Sequence, residues 1–95
     1  MKNLVKYKNK LPNVKETVFI ADGVHIIGDV EISDFTNIWY NSVIRADVNF
    51  VKIGKKCNIQ DGTVIHVSSY GFSAKGKKTR NNKRTDKLIL KRRKK

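Results

Sequence analysis

The stretch Val14-Lys15-Glu16-Thr17-Val18-Phe19-Ile20-Ala21-Asp22-Gly23-Val24-His25-Ile26-Ile27-Gly28-Asp29-Val30-Glu31-Ile32 sets a period. Aliphatic residues fall at Val14, Ile20, Ile26 and Ile32, six apart. The spacing continues through Ile38 and Ile44 and, after three extra residues, resumes at Ile53, Ile59 and Ile65. Four places after each stands a small or β-branched residue: Val18, Val24, Val30, Thr36, Ser42, Val48, Cys57, Thr63 and Ser69. A period of six suits neither a helix, which repeats at about 3.6 residues, nor an alternating strand. It suits a chain that turns a corner after each short strand, an internal repeat of the solenoid kind.

Three such strands close a triangular coil of eighteen residues. The aliphatic residue points inward, and the small one fits near the corner, where bulk has no room. Asp22-Gly23, Gly28-Asp29, Gly54 and Asp61-Gly62 supply residues suited to unusual turn angles. The pattern predicts an all-β fold: a left-handed parallel β-helix of about three coils, truncated, with a disordered or weakly helical basic tail. Val14, Ile32 and Ile53 should stack on one face, Ile20, Ile38 and Ile59 on the second, and Ile26, Ile44 and Ile65 on the third. The extra residues should bulge at a corner within Asn49–Lys52. The expected layout is a lead-in at 1–13, the β-helix at 14–70, a loop at 71–79 and the tail at 80–95, out of frame or disordered. The last coil should expose unpaired backbone and an apolar disc, an aggregation hazard.

The net charge of +13 is unevenly spread. Residues 1–74 hold nine basic and seven acidic residues, whereas residues 75–95 hold twelve basic residues and one acid, Asp86. The basicity therefore belongs to the tail and not to the repeat. A basic run attracts phosphates without reading sequence, so any nucleic-acid binding is expected to be non-specific and through the tail. No aromatic residue follows Phe72 to form a stacking platform. The basic start, Met1 to Lys10, has no apolar segment behind it, so no signal peptide is expected. No apolar run is long enough to span a membrane. The single cysteine, Cys57, makes no internal disulfide and suits the small-residue core position it holds; a cytoplasmic location is expected.

Candidate chemistry lies in Asn41-Ser42-Val43-Ile44-Arg45-Ala46-Asp47-Val48 and Asn58-Ile59-Gln60-Asp61-Gly62-Thr63-Val64-Ile65-His66-Val67. These segments, with Ile27-Gly28-Asp29-Val30-Glu31-Ile32 and Ile38-Trp39-Tyr40-Asn41, resemble the γ-class carbonic anhydrases and their bacterial relatives over roughly residues 11–79. The resemblance implies homotrimers with active sites between subunits, an assembly that so short a chain is not expected to hold firmly. It implies a zinc or iron ion held by three histidines, whose bound water becomes hydroxide and attacks carbon dioxide. His66 matches the first metal ligand. Gln60 matches a glutamine near the metal-bound water, Arg45 and Asp47 an interface ion pair, and Asp61 the acid beside that pair. No histidine follows His66, and His25 lies on an earlier coil, so stable metal binding is not expected and the chain reads as a truncated, inactive form. His25 is expected to be an exposed turn residue.

One expectation rests on spacing alone. Arg45 follows Ile44 and His66 follows Ile65, so both should face outward as neighbours on adjacent coils, ~4.8 Å apart. Other readings remain open at this stage: a hexapeptide acyltransferase-related protein, a non-catalytic binding module of the ferripyochelin-binding kind, and a nucleic-acid binder acting through the tail.

Overall fold

The computed structural model describes residues 3–67 and 71–74. Among these there is no helix. The strands are β1 (Leu4–Val5), β2 (Asn13–Val14), β3 (Phe19–Ile20), β4 (His25–Ile32), β5 (Asn37–Ile38), β6 (Val43–Ile53), β7 (Asn58–Ile59), β8 (Val64–His66) and β9 (Phe72–Ala74). Every pairing between them is parallel. One sheet runs β1-β4-β6-β8, with β2 on β4 and β9 on β6, and a second runs β3-β5-β7. β4 and β6 are long because each passes through a corner and serves two faces of the coil.

The three stacks fall where the hexad spacing puts them. Val14 lies on Ile32 and Ile32 on Ile53. Ile20 lies on Ile38 and Ile38 on Ile59. Ile26 lies on Ile44 and Ile44 on Ile65. The six inward isoleucines Ile26, Ile32, Ile38, Ile44, Ile53 and Ile59 are all within 1% of complete burial. Each contributes roughly 1.5–3 kcal/mol of transfer free energy, which is what drives an eighteen-residue coil to close on its neighbours.

The small-residue positions Val18, Val24, Val30, Thr36, Ser42, Cys57 and Thr63 are buried at the corners. The hydroxyls among them satisfy backbone groups that the turns leave open. Thr36 Oγ1 donates to the Gly54 carbonyl at 2.8 Å and accepts from the Cys57 amide at 3.1 Å. Ser42 Oγ donates to the Gln60 carbonyl at 2.8 Å. Each bond ties one coil to the next. At the corner after β4's first half, Gly28 has φ 84°, and a Cβ there would overlap the Ala46 carbonyl. Only glycine meets both demands.

The structure departs from the sequence reading in five places. Gly28 pairs with Ala46 but Val30 pairs with Val51, so the three extra residues fall within Asp47–Phe50 and not Asn49–Lys52. Val48, expected at a buried corner, is 63% exposed, and Val51 takes the inward place. Residues 1–13 are more than a lead-in: Leu4 pairs with Ile26 and heads the third stack. A tight turn follows, in which Tyr7 and Lys10 exchange backbone bonds of 2.9 Å. The segment expected as a loop from 71 onward begins with β9, which pairs Val51 with Phe72 and Ile53 with Ala74. The inward residue there is alanine, so a scan for large aliphatics misses it. Lastly, His25 is exposed as expected but opens β4 and is not in a turn. Ser69, the remainder of the expected loop and the tail at 80–95 lie outside the described residues.

Candidate functional site

A residue beside an inward-pointing strand position points outward. Arg45 and His66 each follow an inward isoleucine, and β6 and β8 pair so that the two are Cα partners on adjacent coils. Asp47 stands two places after Arg45 in β6, on the same side, where the three extra residues break the register against β4. The bulge there lets its carboxylate reach Arg45. The three side chains meet: Arg45 Nη2 to His66 Nε2 at 2.7 Å, Arg45 Nε to Asp47 Oδ2 at 3.2 Å, and His66 Nε2 to Asp47 Oδ1 at 3.8 Å.

The short contact assigns roles to the atoms. A guanidinium carries donors only, so Nε2 of His66 must accept from Arg45. In that arrangement the Nε2 lone pair points into the cluster. Asp47 Oδ1 is shielded from solvent and makes no hydrogen bond. Two acceptors, an imidazole lone pair and a carboxylate oxygen, thus face one another with Arg45 as the cation between them. The Arg45 and His66 side chains remain about half exposed, at 46% and 47%, so their ion pairing adds little to stability. Asp47 also lines an open cleft of about 220 Å³, with Tyr7, Lys8, Lys10 and Val48 around it.

Gln60 and Asp61 sit at the other end of this face, in the turn that leads into β8. Gln60 Nε2 donates to Asn58 Oδ1 at 2.7 Å, and neither residue makes a hydrogen bond or ion pair with the Arg45–Asp47–His66 trio. Within one chain, the five residues singled out by sequence therefore fall into two groups. Trp39 packs on Phe19, ring centroids 5.0 Å apart, and on Tyr40 at 6.1 Å. The Phe19 and Tyr40 members of this outward aromatic cluster were not picked out by sequence. Their signal was available for Phe19: it precedes the inward Ile20 while Trp39 follows the inward Ile38, so both face outward on neighbouring coils.

As a metal centre the described residues do not fit. They contain no group of three His, Cys, Asp or Glu side chains able to hold an ion. The one imidazole in the cluster has its Nε2 lone pair engaged by Arg45.

No protein-family model matches the chain. Among curated proteins, it is 40% identical over 74 residues to γ carbonic anhydrase 2, mitochondrial, of Arabidopsis thaliana, covering 78% of this chain and 27% of that one. It is 50% identical over 62 residues to a carbonic anhydrase of Geobacillus kaustophilus, covering 65% of this chain and 34% of that one. Among solved structures, a hexapeptide transferase family protein from Anaplasma phagocytophilum superposes with a TM-score of 0.71 at 42% identity, over 79% of this chain and 45% of that one. The chain thus spans about a third of the length of the curated relatives it matches.

Proposed function

The chain belongs to the γ-carbonic-anhydrase-like family of hexapeptide-repeat proteins, and on that premise we propose that it carries one portion of a metal-dependent carbon dioxide hydration site and is not a working hydratase by itself. The observation that carries this reading is the composition of the cluster: one imidazole, one guanidinium and one carboxylate. Making hydroxide from water at neutral pH takes a metal held by several protein ligands with one position left open. His66 supplies one such ligand. His25, the other histidine, stands two coils earlier, at the start of β4, in the stack His25–Val43–Val64. Copies of the chain in a homotrimer would each lack the same ligands.

The test is metal analysis of the purified 95-residue chain together with stopped-flow carbon dioxide hydration in added zinc or iron. The expected result is no stoichiometric metal and no rate above the uncatalysed one. Stoichiometric metal with turnover would overturn the reading. Sedimentation of the same sample tests the homotrimer that the family resemblance implies.

Acyl transfer is the competing reading, since the Anaplasma relative is called a transferase. The segments Arg45-Ala46-Asp47 and Gln60-Asp61-Gly62, and the relatives named carbonic anhydrase, favour the first reading. No helix among the described residues is long and apolar enough to cross a membrane. The cytoplasmic placement is part of the proposal, supported by the single cysteine, Cys57, which leaves no internal disulfide to form.

A further inference from the structure

We infer that Phe35 of one copy seats in the cleft beside Asp47 of a second copy, so that chains associate side by side, corner to corner. Three observations carry this contact, and none depends on the hydration reading. The first is strain without return. Phe35 holds φ 62° with its ring 59% exposed. Of the described residues with positive φ, Phe35 alone is aromatic; the others are lysine, asparagine or glycine. Its turn is braced from both adjacent coils. The Phe35 amide donates to Thr17 Oγ1 at 2.9 Å, Thr17 Oγ1 donates to Asp34 Oδ1 at 2.8 Å, and the Lys56 amide donates to the Asp34 carbonyl at 3.0 Å. A costly conformation held this firmly, with so little burial in its own chain, points to a contact outside it.

The second observation is a receptor. The open cleft of about 220 Å³ lies between the Tyr7–Lys10 turn and the bulge of β6, with Tyr7 and the exposed Val48 as apolar walls. It has room for one phenyl ring. The third is the order of charge along the coil axis. Phe35 stands at the corner after the stack of Val14, Ile32 and Ile53. From the first coil onward that corner carries Glu16, then Asp34, then Lys55 and Lys56: acids before bases. The cleft stands at the corner after the stack of Leu4, Ile26 and Ile44. There Lys8 and Lys10 come first, and Asp29 and Asp47 follow: bases before acids. Apart from Asp47, none of these charges is in an ion pair with another described residue. Two copies with their coils running in the same direction therefore set acids against lysines at both ends of the contact, with the ring between them. Reversing one copy sets like charge on like. Knob and cleft occupy different corners, so the contact is heterologous and leaves each copy able to accept another. The seated ring covers the cleft side of Asp47, so one copy closes the surroundings of the other's polar cluster.

The experiment is sedimentation equilibrium of the full chain at physiological salt, over a range of concentrations. The unaltered chain is compared with Phe35→Asn, since Asn41 already holds φ 61° at the next corner. Self-association is expected in the unaltered chain, and Phe35→Asn should weaken it on the order of tenfold or more, as for a central aromatic anchor. Lys10→Glu should weaken it too, and Glu16→Lys added to Lys10→Glu should recover much of that loss. An unaltered chain that stays monomeric, a Phe35→Asn chain that associates as tightly, or a charge swap without recovery would overturn the inference. Should Phe35→Asn fail to fold, Val48→Asp in the wall of the cleft gives the same comparison. Benzoylphenylalanine at position 35 then locates the contact. Photocrosslinks to residues 7–10 or 46–49 of a second copy support the inference, and crosslinks elsewhere overturn it. None of these readouts measures metal or turnover, so failure here is distinct from failure of the proposed function.

Discussion

Val30 and Val51 pair across adjacent coils with 0% of Val51 and 2% of Val30 exposed, although the register slips between Gly28 and Val30. The slip absorbs the bulge within Asp47–Phe50 of β6 and returns the chain to the interior in time for Ile53 to meet Ile32. Asp47 stands in this bulge and pairs with Arg45, so the same irregularity that restores the core also holds a member of the polar cluster.

This placement separates two valines that look alike in sequence. Val51→Ala should lower stability by about 2 kcal/mol, from lost transfer free energy and an unfilled space. Val48→Ala should change it by no more than about 0.5 kcal/mol, as at ordinary surface sites. Urea denaturation of the two variants checks both; equal losses would place the extra residues elsewhere.

Thr36 offers a test of the hydroxyl links between coils. Thr36→Val keeps the shape but strips the donor to the Gly54 carbonyl and the acceptor for the Cys57 amide. Two backbone groups near a fully buried side chain lose their partner, for an expected cost of about 1–3 kcal/mol in the same denaturation assay. Amide exchange at Cys57 should quicken in parallel.

Phe35 holds φ 62° with its ring 59% exposed, an arrangement that strains a bulky L-residue and returns little burial. The equivalent turn position one corner on is Asn41, at φ 61°. Phe35→Asn should therefore raise stability by about 1 kcal/mol, read as a higher melting temperature. A fall would mean that the exposed ring contributes a contact worth more than the strain.

Gly71 lies under the Phe50 ring so closely that a Cβ would overlap it. Gly71→Ala should destabilise by about 1 kcal/mol or more through crowding. In a Phe50→Ala background the same change should cost close to nothing, because the overlapping atoms are gone. Additive losses in the double-mutant cycle would show that the two residues do not touch.

How much was legible in sequence follows from the physics of the repeat. Inward and outward directions alternate locally along a strand, and corners recur at a fixed count. The stacks of Val14, Ile20 and Ile26 were therefore readable from spacing alone, and so was the pairing of Arg45 with His66, each one place beyond a stacked isoleucine. Wherever the count broke, spacing had no further hold. Valines at 48 and 51 satisfy the same local pattern, and only closure of the coil against Val30 chose between them. The alanine of β9 is too small to announce itself and gains its inward place from Ile53 beneath it. The hydrogen bond from Arg45 to Nε2 of His66 is of this second kind. Register brought the two residues side by side, but the 2.7 Å contact between their side chains, with Asp47 beside them, is made only in the folded coil.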